Sequence, residues 1–131
     1  MPIKPKDLLD LANSIFLENE LAVRTVINRA YYAAYRMSVA FHESLPVEGS
    51  AQQSGTHKTL ITQLIEPDSS LEKTLQSTSK TIGYILEDMK KQRVTADYHL
   101  SKPMNNEMAK DCLRSAFRLN EKITQILPKT S

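Results

Sequence analysis

The chain is poor in almost everything that announces a specific chemistry. Cys112 is its only cysteine, which excludes an internal disulfide and fits a reducing compartment. That thiol falls on an apolar helical stripe, where cysteine serves as a small buried hydrophobe. Glycine is scarce, with three residues in 131, and no glycine-rich phosphate loop is formed. No run approaches the roughly 18 apolar residues that a membrane-crossing helix needs. Residues 1–7 lack the apolar core of a signal peptide, so a soluble cytoplasmic protein without membrane contact is expected. The formal charge is only +2, and any nucleic-acid surface must therefore be local. His42, His57, His99 and Cys112 show no metal-ligand spacing, so no metal and no cofactor are expected. Serine–histidine–acid sets, internal repeats and low-complexity tracts are missing as well. Sustained apolar–polar alternation is also lacking, which argues against strands.

What is present is helical periodicity with clean punctuation. Hydrophobic residues make up 40% of the chain and charged residues 24%, as in an ordinary folded globule. A length of 131 residues suits one domain, residues 1–131, that buries roughly 65–70% of its unfolded surface without staples. All six prolines (2, 5, 46, 67, 103 and 128) fall at the edges of or between the periodic segments, where a missing helix donor does least harm. Five helices are predicted. The first spans about Pro5–Glu18 and turns Leu8, Leu11, Ala12, Ile15 and Phe16 inward. The second spans about Glu20–Glu43, with Val23, Ile27, Ala30, Ala34, Met37 and Phe41 on its stripe and Arg29, Tyr32 and Arg36 on another. Residues 44–55 form the one long irregular stretch, a length that is often functional.

A short helix follows over about Thr56–Glu66. Ser69–Glu72 reads as a capping box before a helix carrying Leu71, Leu75, Thr78, Ile82, Ile85 or Leu86, and Met89. Gly83 inside that helix costs about 1 kcal/mol relative to alanine, which a close helix crossing would explain. This helix fades near 97–100, and a last one spans about Asn105–Leu127. The expected fold is all-α: an up-and-down antiparallel bundle of four long helices and one short one.

Arg93 and His99 are the candidate catalytic pair. Histidine titrates near neutrality and can carry a proton either way. Arginine stays charged and offers a planar fork for a phosphate. Such a pair suits metal-independent RNA cleavage by the 2′-hydroxyl, with arginine stabilising the phosphorane-like transition state. Six residues of regular helix leave the two side chains about 120° apart. They converge only where the helix turns early or where a two-fold axis brings in a second chain, and the dimer is the preferred arrangement. Asp97 is placed to orient one of them, or else to pair with Arg93 at i, i+4. Tyr98, Lys90, Lys91 and Lys102 are candidate RNA contacts.

Three of the five tyrosines crowd into Arg29-Ala30-Tyr31-Tyr32-Ala33-Ala34-Tyr35. This segment, His57, Arg93-Val94-Thr95-Ala96-Asp97-Tyr98 and a closing helix with Ala109, Ala116 and Phe117 resemble a bacterial and archaeal branch of the HEPN domain family. The resemblance covers nearly the whole chain. It implies a small helical bundle, a homodimer, and an endoribonuclease of toxin–antitoxin or phage-defence systems, with Arg93 and His99 matching the family's arginine and histidine. Val94 departs from it, being apolar where the family often has a polar residue. The same resemblance implies the alternative of a non-catalytic binding module that partners a small nucleotidyltransferase or an antitoxin. Arg29, Tyr31, Tyr32, Tyr35 and His57 then count as structural signature residues.

Overall fold

The computed structural model describes residues 2–126, and every structural statement below concerns them. Five helices appear in the order α1 (Pro5–Ser14), α2 (Glu20–Ser44), α3 (Thr56–Ile65), α4 (Lys73–Tyr98) and α5 (Asn106–Ile126), with no strand. The fold is an all-α bundle in which three helices are long and two are short, rather than four and one. The predicted position of Leu127 in the last helix, and Pro128, lie outside the described residues.

The difference arises at α1. Pro5 opens it at N1, and the Lys4 N–H donates to the Asp7 carboxylate at 2.9 Å. It stops at Ser14, whose hydroxyl donates to the Leu11 carbonyl, and Ile15 is already extended. Asn19 claims the following backbone because its side chain caps α2, accepting from the Ala22 N–H at 2.8 Å. Residues 15–18 must then unwind to reverse the chain. The inward face of α1 consequently runs through Leu9 and Ala12, while Leu11 and Phe16 point outward at 54% and 79% exposure.

Helix α2 is the central element and touches all four others, whereas α1 makes no contact with α4. Its stripe of Val23, Ile27, Ala30, Ala34, Met37 and Phe41 is buried as its spacing predicts. Ala30, Ala33 and Ala34 on α2 and Ala109 and Ala116 on α5 are all fully buried, and such small residues let helix backbones approach closely. Cys112 is buried on the same α5 face, and desolvation pushes its thiol up to about 11.

The start of α4 also differs from expectation. Ser69–Glu72 makes no capping box; instead the Asp68 carboxylate accepts from the Ser70 N–H and hydroxyl, and α4 begins at Lys73. Those two hydrogen bonds hold the Asp68 carboxyl below its usual range. Gly83 is explained by the crossing of α3 and α4. A Cβ there would lie 2.8 Å from Ile65 Cγ1 and 3.0 Å from Leu64 Cβ.

Candidate functional site

The far end of α4 is held by a residue that sequence reasoning passed over. Arg24 sits among Val23, Val26 and Ile27 on the buried stripe of α2, and only 8% of it is exposed. Its guanidinium donates to the carbonyls of Thr95, Ala96, His99, Leu100 and Lys102 and pairs with Glu20 at 2.8 Å. The last carbonyls of a helix lack partners within it; here backbone N–H groups reach those of Thr95 and His99, and Arg24 also serves Ala96, Leu100 and Lys102. The signal was the placement of a guanidinium inside an apolar stripe, four residues after a glutamate.

With α4 fixed in this way, residues three and four apart on α2 meet it on one face. Asn28, Tyr31 and Tyr35 share that face. The Asn28 amide donates to Asp97 at 3.0 Å, and the same Asp97 oxygen takes an ion pair from Arg93 Nε, also at 3.0 Å. The Arg93 guanidinium carbon lies 5.8 Å from the Tyr31 ring centre and 5.7 Å from that of Tyr98, within cation–π range. Among the described residues, no hydrogen bond occupies its two terminal nitrogens, and the side chain is 27% exposed.

His57 is the imidazole next to this arginine. Gly55, with φ of 95°, lets the chain turn into α3, and His57 lies in its first turn. Its ring stacks on Tyr35 with centres 4.1 Å apart, and Nδ1 sits 2.6 Å from the Tyr31 hydroxyl. Burial, then Arg93, then Lys90 hold His57 below the ordinary histidine value, and the positive end of α3 acts in the same direction. Burial likewise raises the Tyr31 phenol well above its usual value. A neutral imidazole beside a protonated phenol with no other acceptor assigns the hydrogen bond: Tyr31 donates to Nδ1, and the ring proton lies on Nε2. Sequence reasoning placed both residues in a structural signature but did not join them to Arg93.

The predicted pair does not converge within one chain. Helix α4 stays regular through Tyr98, so Arg93 and His99 keep the 120° divergence of about six residues. His99 is exposed at the C-cap, and its carbonyl, not its imidazole, bonds to Arg24. Tyr98 is 68% exposed at the rim, followed by Leu100 at 71%. Tyr32, Arg29 and Arg36 are exposed on the adjoining stripe, and neither arginine has an ion pair among the described residues. Lys90 and Lys91 lie on the α3 side of α4, while Lys102 stands beyond its end, so the basic neighbourhood divides in two.

Between α3 and α4 runs a groove of about 500 Å³ lined by Lys58, Ile61, Thr62, Glu87, Lys90, Lys91 and Val94. A second, of about 360 Å³, lies between the start of α2 and the end of α4 and includes Leu21, Arg29, Asp97 and Leu100. Among the described residues no three His, Cys, Asp or Glu side chains converge as a metal site, and no helix is long and apolar enough to cross a membrane. The chain matches no protein-family model, no curated protein and no solved structure.

Proposed function

We propose that this protein is a HEPN-like, metal-independent endoribonuclease of the toxin–antitoxin or phage-defence kind, acting as a homodimer. The observation that carries this reading is the open fork of Arg93. Its Nε is committed to Asp97, while its two terminal nitrogens make no hydrogen bond among the described residues and the partly exposed guanidinium lies beside the Tyr31 and Tyr98 rings. A guanidinium held rigidly by one carboxylate and two rings is pre-organised to accept a phosphate.

His99 is the proton carrier in this reading. His57 has committed Nδ1 to Tyr31 and is held neutral by burial and two cations. His99 is exposed and its ring nitrogens make no hydrogen bond among the described residues. The dimer supplies what one chain lacks, a second imidazole and an approach to Arg93 from across the axis. Exposed apolar residues at the same end of the bundle favour such an axis: Leu21 at 74%, Tyr98 at 68%, Leu100 at 71%. The base removes the 2′-hydroxyl proton, the acid protonates the leaving 5′-oxygen, and Arg93 stabilises the charge that builds on the phosphate.

One observation favours the second reading, a non-catalytic module that partners a nucleotidyltransferase or antitoxin. Arg93 already joins α4 to α2 through Asp97 and Asn28, as an anchoring residue does. The two readings separate in one experiment. Structured RNA, with and without a 2′-deoxy substitution at the cut position, is incubated in EDTA with the wild type, His99→Ala and Arg93→Lys. The nuclease cuts only the ribose-containing strand, slows by about 100-fold or more in His99→Ala, and loses most activity in Arg93→Lys although the charge is kept. RNA binding without any cutting by the wild type establishes the binding module. Equal cutting by the wild type and His99→Ala removes His99 from the mechanism.

A further inference from the structure

We infer that the groove between α3 and α4 is a base-reading subsite that prefers guanine, with Glu87 as its specificity-determining residue; this rests on the RNA-directed reading above. The groove is lined by neighbours of Arg93 and His57 in the chain. Val94 follows Arg93, Lys90 lies one turn before it, and Lys58 follows His57 on α3.

Its chemistry is mixed in a way that suits one nucleotide. Ile61 is buried and Val94 half-buried, giving an apolar floor. Lys58, Lys90 and Lys91 border it, and no ion pair neutralises any of the three among the described residues. Glu87, half-buried on the same wall, is also unpaired. A carboxylate placed among three ammonium groups repels a phosphate, so it is not a backbone contact. It is an acceptor for a donor-bearing base edge while the lysines hold the flanking phosphates.

The base edge follows from the donor inventory. An ionised carboxylate accepts two parallel hydrogen bonds and donates none. Guanine alone among the four bases presents two adjacent donors, N1–H and the N2 amino group, on its Watson–Crick edge. Cytosine and adenine present an amino group beside an acceptor nitrogen, which repels the second carboxylate oxygen. Uracil presents one donor between two acceptors. Unpaired bases expose these edges, and proteins read single-stranded RNA through them.

The test uses fluorescently labelled nine-residue 2′-O-methyl RNAs, which lack the attacking hydroxyl and stay uncut, all uridine except at the centre, which is uridine, guanosine or inosine. Anisotropy titrations at one salt concentration compare the wild type, Glu87→Gln and Arg93→Ala, with melting curves to establish that each variant is folded. The wild type binds the guanosine strand about tenfold more tightly than the all-uridine strand, a typical discrimination for a bidentate base contact. Inosine, lacking the N2 amino group, falls between them. Glu87→Gln abolishes the preference while keeping or raising affinity for the all-uridine strand, because a repelling charge is gone. Equal wild-type binding to the three strands, weakened by Arg93→Ala, overturns the guanine subsite and leaves the RNA reading standing. No wild-type binding to any strand overturns both.

Discussion

Arg24 shows how much one buried side chain can organise. The two terminal nitrogens of its guanidinium meet five backbone carbonyls from the end of α4 and the turn after it, while Nε donates to Glu20. Its pairing with Glu20 contributes little, since that carboxylate is 45% exposed. The stabilisation resides in the carbonyls, which lose a charged donor if it is removed. Arg24→Met is therefore expected to cost about 3 kcal/mol in urea unfolding. Arg24→Lys recovers less than half of that, because a compact ammonium cannot span the five acceptors. A loss below about 1 kcal/mol in the methionine variant would show that the turn holds itself. Arg24 escaped sequence analysis because its partners lie more than 70 positions away and are main-chain atoms that no side-chain pattern encodes.

At the level of the helices, the crossing of α3 and α4 is set by Gly83. Alanine there gains up to about 1 kcal/mol of helix propensity, but its Cβ meets Leu64 Cβ at 3.0 Å and the Ile65 backbone nitrogen at 3.1 Å. Ile65 can rotate, whereas the backbone of α3 cannot yield locally. Overpacking of about 1–3 kcal/mol outweighs the propensity gain, and Gly83→Ala is expected to lower stability by about 1 kcal/mol in denaturant titration. An unchanged or raised midpoint would mean that α3 shifts freely. Long helices were legible because the apolar period of α2 runs unbroken and prolines mark the ends. The facing of α1 was not, since Leu8, Leu9 and Leu11 offer two competing stripes and the choice belongs to Asn19 outside the helix. The Arg93–Asp97 pair was legible as an i, i+4 spacing. The approach of His57 was not, because it depends on the angle at which a separate short helix docks on α4.

For the molecule as a whole, the titrating groups define a plateau of stability. His42 is buried, accepts the Gly49 N–H on Nε2 at 3.0 Å, and is held below the ordinary histidine value because burial outweighs Glu48, 3.6 Å from Nδ1. His57 is lowered in the same direction. Both bind protons more readily in the unfolded chain, so their contribution is complete above 6.5, the ordinary value, and is lost as pH falls below it. Cys112 behaves oppositely. Its contribution is complete below 9.0 and is lost as pH rises towards about 11. Melting temperature is therefore expected to be flat from about pH 7 to 8.5, dropping as pH falls below 6.5 and falling again in alkali. His42→Gln, which keeps an acceptor without a titrating group, flattens part of the acid limb. An acid limb identical in that variant would place the titration elsewhere.

Because Arg24 grips the end of α4 and the turn after it through peptide oxygens alone, that segment keeps its shape whatever side chains it displays. Tyr98, His99, Leu100 and Lys102 are thus mounted on a frame indifferent to their identity. Substitutions at these four positions therefore leave the scaffold beneath undisturbed.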